Sequence, residues 1–232
     1  MARKSRRAKK SSRRNLYLSV AVLVLLVVSV VGFYAYENRG SSSTTSSSQS
    51  SSGSSSSASP AYAVLDTSQG TIVIELFPQV APQTVANFEN LANQGFYNDL
   101  VWHRIVQGFV IQTGDPNTKG AVNSTRDTWG EGEGPTTVPL ETNANYPNDV
   151  GYVALAHTSS STSGGSEFYI NLANNTSLNG SYTVFGKVVS GMSVVEAIAA
   201  LPVYTNQSTF TYDQPTNAQN ALLISITIQS TP

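Results

Sequence analysis

Val101-Trp102-His103-Arg104-Ile105-Val106-Gln107-Gly108-Phe109-Val110-Ile111-Gln112-Thr113-Gly114-Asp115 is the stretch from which the rest of the chain is read. β-Branched and aromatic residues run up to the glycine-containing pair Gln107-Gly108. The pattern predicts a hairpin of two strands, 100–106 and 109–115. Arg104 stands inside this apolar hairpin. Arginine keeps its charge and is rarely buried alone, so Arg104 either pairs with an acid or faces a polar cleft. Gln112, on the facing strand, is placed to share that cleft.

On the N-terminal side of the hairpin, residues 62–68 and 71–77 flank Gln69-Gly70 and alternate as a second hairpin. Pro82 suits the first turn of a helix. Val85, Phe88, Leu91 and Ala92 recur at three- and four-residue steps up to Gly95, giving an amphipathic helix of about four turns. On the C-terminal side, residues 116–135 are a long Gly/Asn/Thr/Pro loop in which Trp129 suggests packing, and 136–140 form a short extended piece. Strands are expected at 151–157, 167–173, 183–190 and 221–228, with a polar loop over 158–165. Ser193-Val194-Val195-Glu196 has capping-box spacing for a second helix with an apolar face of Val194, Ile198 and Leu201, stopped by Pro202. Eight strands and two helices without a repeated strand-helix-strand pattern predict an all-β fold: a closed, eight-stranded antiparallel barrel with two capping helices.

Residues 61–232 carry four cations (Arg104, Lys119, Arg126, Lys187) against 13 carboxylates, a net charge of −9 that argues against nucleic acid as a partner. There is no cysteine, which excludes disulfides, thiolate metal sites and a cysteine nucleophile. The two histidines, His103 and His157, lie on different predicted strands, so no metal site is expected. No nucleophile elbow or phosphate-binding glycine loop occurs, leaving hydrolase and nucleotide chemistry without support. Asn123, Asn174, Asn175, Asn179 and Asn206 each begin an Asn-x-Ser/Thr sequon.

The first sixty residues differ sharply from the rest. Residues 1–15 hold eight of the chain's 13 Lys and Arg and read as a basic cytoplasmic tail. Residues 16–36 form a 21-residue apolar run without a charge, long enough to cross a hydrocarbon core of about 30 Å. Aromatic residues follow it where a cleavable signal would need small ones. The expectation is a single-pass cell-membrane anchor with the N-terminus inside and the globular part outside. Residues 37–60 read as a flexible Ser-rich tether.

Three motifs carry a family resemblance. Trp102-His103-Arg104-Ile105-Val106, continuing to Gln112-Thr113-Gly114-Asp115, resembles the active-site signature of the cyclophilins. Gly165-Ser166-Glu167-Phe168-Tyr169-Ile170 is similar to the family's Gly-Ser-Gln-Phe-Phe-Ile strand. Leu178-Asn179-Gly180-Ser181-Tyr182-Thr183-Val184-Phe185-Gly186-Lys187-Val188 is similar to its Leu-Asp-Gly-x-x-x-Val-Phe-Gly-x-Val segment.

The resemblance implies the same barrel with two helices and a cofactor-independent peptidyl-prolyl cis-trans isomerase. Carried over by motif, Arg104 is the catalytic donor, while Gln112 binds the substrate carbonyl and helps orient Arg104. Phe109, Val110, Tyr169, Leu178 and Tyr182 line a proline pocket, Ala156 and His157 form the strand end that holds the peptide backbone, and His103 contacts substrate. The implied partners are proline-containing unfolded or extended polypeptides, and with the expected anchor the enzyme would assist exported or cell-surface chains. The alternative is a catalytically dormant module binding proline-containing peptides; retention of Arg104 with Gln112 discriminates against it.

The chain departs from the family pattern at Val110 (Met), His157 (Asn), Glu167 (Gln) and Tyr182 (His). Glu167 stands among the substrate-binding residues of the same groove, where an ionised carboxylate would be a ready partner for Arg104; the alternative is that it points to solvent at the rim. Ser177 replaces a Trp that chiefly serves cyclosporin binding, which puts that binding, rather than catalysis, in doubt.

Overall fold

A computed structural model of the protein describes residues 61–121, 123–158, 163–205 and 212–232. The chain opens with β1 (Ala61–Thr67) and β2 (Gly70–Leu76), paired from Ala61 opposite Leu76 to Thr67 opposite Gly70. The turn is therefore Ser68-Gln69, one residue earlier than expected. Thr67 sets this register with its side chain, whose Oγ1 donates to the Gly70 carbonyl at 2.6 Å and accepts from the Gln69 N–H at 3.1 Å. Helix α1 (Pro82–Asn93) follows and buries Val85, Phe88, Leu91 and Ala92, the face its periodicity predicts. Its N-cap, Ala81, has no capping side chain. Glu141 supplies the cap from 57 residues away, its carboxylate accepting from Gln83 N–H, Thr84 N–H and Thr84 Oγ1 at 3.1, 2.8 and 2.8 Å.

The segment expected as one strand over 100–106 is broken at Trp102-His103 into β3 (Leu100–Val101) and β4 (Arg104–Val106). Next come β5 (Val110–Thr113), β6 (Val138–Pro139), β7 (Tyr152–Leu155), β8 (Ser163–Gly164), β9 (Phe168–Asn171) and β10 (Val184–Ser190). Helix α2 (Met192–Ala199) and β11 (Leu222–Gln229) complete the fold. The main sheet is antiparallel and strongly curled, with the order β3-β11-β1-β2-β10-β7-β9-β5-β4; β6 and β8 pair separately. The expected eight-stranded closed barrel is thus nearly right. Its edge strands, β3 and β4, are the two halves of the broken segment. The sheet's ends are joined by the chain through Trp102-His103 instead of by a hydrogen-bonded ladder, which makes nine strands of eight.

Helix α2 begins one residue before Ser193, behind Gly191 in the left-handed conformation at φ 84°, with no side-chain cap. The capping box expected at Ser193 is therefore not used. A Cβ on Gly191 would stand 2.3 Å from the Thr71 carbonyl oxygen, so only glycine fits there. The loop after β5 contains two 3-10 segments, Pro116–Ala121 and Asn123–Thr128, and buries Trp129 against the guanidinium of Arg126, 4.6 Å from the ring centroid.

The core fills the inside of the curled sheet. Phe168, fully buried, makes edge-to-face contacts with Phe88, Tyr97, Trp102 and Phe185 at centroid distances of 5.4, 5.7, 6.0 and 6.3 Å, tying β9 to α1, the β3–β4 junction and β10.

The expected anchor lies in residues 16–36, outside the described residues. Among the described residues no helix is long and apolar enough to cross a membrane. That finding overturns the expected cell-membrane location and membrane partner. The role expected for exported or cell-surface chains depended on that location and loses its support with it.

Phe168→Ala is expected to cost about 3–5 kcal/mol, because four aromatic neighbours surround a cavity that cannot collapse onto one side. Equilibrium urea unfolding checks this: the midpoint should fall while the slope stays constant.

Candidate active site

Alternation along the strands assigns each residue a face. Ile105, Ile111, Ile170 and Val153 oppose one another across β4, β5, β9 and β7 and point into the core. The neighbouring row, on the outer face, is Arg104 opposite Gln112, Gln112 opposite Tyr169, Tyr169 opposite Ala154, and Ala154 opposite Val184 on β10. A second apolar cluster forms on this outer face around Val110, Ala154, Ala156, Tyr169 and Val184, with Phe109, Leu178 and Tyr182 packed against it.

These residues enclose a cavity of about 250 Å³ lined by Arg104, Phe109, Val110, Gln112, Ala156, His157, Tyr169, Leu178 and Tyr182. Nine residues singled out in the sequence therefore meet in one cavity. Phe109 reaches it because Gln107-Gly108-Phe109 forms a three-residue hairpin loop, closed by Phe109 N–H donating to the Val106 carbonyl, with Gly108 at φ 70°. One ring face of Phe109 lies 5.7 Å from the Arg104 guanidinium carbon. Tyr182 stacks on His157 at 4.5 Å and meets Tyr169 edge-on at 5.8 Å. The two His157 ring nitrogens lie 2.9 and 2.8 Å from the Thr158 and Ser181 carbonyl oxygens. His157 thereby joins the two loops at the pocket rim.

Arg104 Nη1 donates to Gln112 Oε1 at 3.4 Å, and Gln112 Nε2 donates to Glu167 Oε2 at 2.6 Å. The amide has only one sensible orientation here, because arginine only donates and a carboxylate only accepts. Glu167 does not pair with Arg104 as expected. Its carboxylate engages Gln112 and lies 3.3 Å from His103 Nε2, a contact without hydrogen-bond geometry. Among the described residues, no carboxylate stands within ion-pair distance of Arg104. His103 is only 3% exposed and lines neither this cavity nor its neighbour. It is not brought into the cavity with the other nine residues.

Glu167 lies instead in an adjoining cleft of about 280 Å³, which shares Gln112, Ala156 and His157 with the first cavity. Glu131 and Glu133 face the same cleft. The wall between β5 and β9 is drawn tight at Gly114, where a Cβ would stand 2.3 Å from the Ser166 carbonyl oxygen, and Ser166 Oγ donates to the Gly114 carbonyl at 2.7 Å.

Behind the apolar cavity lies a buried amide network that sequence reasoning missed. Tyr169 Oη donates to Asn148 Oδ1 at 2.8 Å, Asn171 Nδ2 donates to the same oxygen at 3.3 Å, and Asn175 Nδ2 donates to Asn171 Oδ1 and the Phe109 carbonyl at 2.8 and 2.9 Å. Burial, reinforced by Tyr182, pushes the Tyr169 hydroxyl well above the usual tyrosine range, so it stays a neutral donor. Asn175 carries a sequon, yet it is buried with its amide committed to this network, which excludes it as a glycan acceptor. Nothing in the spacing of Asn148, Asn171 and Asn175 announces the network, since they come from two loops and a strand.

Asn148→Ala is expected to cost about 1–3 kcal/mol by leaving the Tyr169 hydroxyl without its acceptor and the Asn171 amide with only the Tyr152 carbonyl, 3.0 Å away. Tyr169→Phe should cost less. The double variant should fall short of the sum in equilibrium unfolding, as groups in one network do.

Comparison with known proteins agrees with this geometry. Residues 62–220 match the family model for cyclophilin type peptidyl-prolyl cis-trans isomerase/CLD. The chain is 45% identical over 122 residues to peptidyl-prolyl cis-trans isomerase B of Bacillus subtilis, covering 52% of this chain and 78% of that protein. It is 36% identical over 173 residues to a peptidyl-prolyl cis-trans isomerase of Acinetobacter baylyi, covering 72% and 84%. A crystal structure of a Cryptosporidium parvum cyclophilin type peptidyl-prolyl cis-trans isomerase superimposes with a TM-score of 0.63 at 24% identity, over 75% of this chain and 99% of that one, a likeness of fold. With the curled antiparallel sheet, its two helices and the match over residues 62–220, the chain belongs to the cyclophilin-type peptidyl-prolyl cis-trans isomerase family.

Proposed function

We propose that the chain catalyses cis-trans rotation about Xaa-Pro bonds of peptides held on the outer face of the sheet, with Arg104 as the donor to the prolyl nitrogen. The observation that carries this reading is an arginine on the wall of a cavity of about 250 Å³ that Phe109, Val110, Tyr169, Leu178 and Tyr182 also line, with no carboxylate among the described residues at ion-pair distance from its guanidinium.

The barrier to rotation, about 18–20 kcal/mol, is the loss of amide resonance. As the C–N bond turns perpendicular to the carbonyl plane, the nitrogen becomes pyramidal and regains its lone pair. A donor aimed at that nitrogen binds the twisted state better than either planar state, and such differential binding lowers the barrier. Phe109, Val110, Tyr169, Leu178 and Tyr182 hold the ring, while the peptide backbone runs past Ala156 and His157. Gln112 serves twice, taking one Arg104 donor through Oε1 and fixing its direction, with Glu167 holding the far end of the amide. A direct Arg104–Glu167 ion pair would occupy the donors the prolyl nitrogen needs. Interposing Gln112 keeps them free.

Arg104→Ala should lower kcat/KM by roughly 10²-fold, in line with the loss of one transition-state donor elsewhere. Arg104→Lys should rescue little, because an ammonium lacks the planar fork that reaches both Gln112 and the nitrogen. A protease-coupled assay of a Xaa-Pro peptide with the full chain measures both. Full activity in a folded Arg104→Ala protein would remove Arg104 from the mechanism.

Glu131, Glu133 and Glu167 give the adjoining cleft a concentration of negative charge, and the field of an acidic wall favours basic side chains beside the proline. Glu167→Gln should therefore narrow the difference in kcat/KM between matched Lys- and Glu-flanked Xaa-Pro peptides. An unchanged ratio would place substrate charge selection elsewhere.

A further inference from the structure

His157 and Tyr182 are two places where the chain departs from the family pattern, and they touch. Tyr182 lies face-on to the His157 ring, with centroids 4.5 Å apart and planes inclined by 21°. Both line the cavity that holds Arg104, and His157 also lines the adjoining cleft. Each ring nitrogen of His157 meets a main-chain carbonyl: Nδ1 lies 2.9 Å from the Thr158 oxygen and Nε2 2.8 Å from the Ser181 oxygen.

A carbonyl oxygen only accepts. A neutral imidazole carries one N–H, so it bonds one of these oxygens and turns a nitrogen lone pair toward the other. The imidazolium donates from both nitrogens and satisfies both oxygens at once. The stacked Tyr182 ring suits the same form, because a cation is attracted to an aromatic face.

The Ser181 contact reaches across 24 residues of chain. It ties the residues beyond β7 to the segment between the 3-10 turn Thr176–Leu178 and β10, which brings Leu178 and Tyr182 to the cavity wall. Tyr182 in turn meets Tyr169 edge-on at 5.8 Å, and the Tyr169 hydroxyl is fixed by Asn148. The position of one histidine ring is thereby passed to two walls of the pocket.

We propose that His157 is an affinity-determining clamp of the proline pocket: it draws the Ser181-Tyr182 wall toward the end of β7 when both ring nitrogens carry protons, and slackens it when one proton leaves. This rests on the reading of the cavity as the proline pocket. A wall already held in its binding shape has less freedom to lose when a peptide enters. By linkage, the peptide then favours proton uptake at His157 as much as the proton favours the peptide. The other charged and titratable groups around the ring are Arg104, Tyr169 and Tyr182 in the cavity and Glu131, Glu133 and Glu167 in the cleft. His103, the other histidine, touches Glu167 and lines neither space.

Protonation follows falling pH, so the clamp is complete in acid and loses one bond as pH rises. NMR titration of the full chain with an uncharged, end-blocked Xaa-Pro tetrapeptide should give a Kd lower at about pH 5 than at about pH 8. The difference should be roughly three- to tenfold, the worth of one net hydrogen bond. Adding the peptide at an intermediate pH should move the His157 ring nitrogen signals toward the doubly protonated form, a signature that a merely structural role would not produce and that needs no variant. His157→Asn, the residue of the family pattern, has no such proton to lose and should bind equally at both pH values, near the wild-type Kd in alkali. A wild-type Kd that is the same at both pH values, or ring nitrogen signals that the peptide leaves unmoved, overturns this inference and leaves the reading of the site intact. A pH dependence that survives in His157→Asn also overturns it and assigns the proton to another group. Binding of the peptide away from this cavity, or no binding at either pH, overturns the reading of the site itself.

Discussion

The strand register across β4, β5, β9 and β7 is the constraint on which both core and site depend. Side chains alternate between faces, so the register that sends Ile105, Ile111, Ile170 and Val153 inward sends Arg104, Gln112, Tyr169 and Ala154 outward in one row. A slip of one residue would carry a permanent cation into the aromatic cluster around Phe168, and burying an unpaired charge is far costlier than losing one apolar contact. The hydrophobic effect therefore enforces the geometry of the site without acting on the site. Core and candidate active site are two faces of a single pairing.

The break at Trp102-His103 adds a second consequence. The sheet cannot continue its ladder through these two residues, so the segment pairs with β11 on one side and with β5 on the other. Arg104 is the first residue beyond the break. It thus stands at a strand end on a sheet edge, where an arginine is half-exposed and a loop instead of a strand covers the backbone.

Most elements of the fold were readable because their signals are local. The period of Val85, Phe88, Leu91 and Ala92 gave α1, and the alternation about Gln69-Gly70 and Gln107-Gly108 gave both hairpins to within a residue. Long-range partners were not readable. The α1 cap comes from Glu141, the bond that backs Tyr169 from Asn148, the bond to the Phe109 carbonyl from Asn175, and the cover of β4 from Asp213, each far from that partner in the chain. The strand 100–106 was drawn as continuous because its apolar pattern is unbroken; only the closure of the sheet shows that Trp102-His103 must leave the ladder. Of the nine residues that share one cavity, Arg104 and Gln112 stood out by residue type on a predicted hairpin and the other seven were found through motif resemblance, since side chains such as Tyr169 and Leu178 carry no local sign separating a pocket wall from a core.

Glu167 shows why contacts must be traced past the nearest charge. The carboxylate and the guanidinium stand at opposite ends of one amide, and Gln112 is polar in both senses: it accepts from Arg104 and donates to Glu167. With a neutral glutamine at position 167, as in the family pattern, the far group could donate as well as accept, and the orientation of Gln112 would rest on Arg104 alone. A carboxylate accepts only, so it fixes the amide from behind and strengthens the hydrogen bond that does so. The departure at this position thus holds the Gln112 amide from behind, while the carboxylate itself lies in the acidic cleft it shares with Glu131 and Glu133. The orientation of the Gln112 amide and part of the charge of the neighbouring cleft are thus set by one side chain, immediately before the strand β9 whose first residue, Phe168, anchors the core.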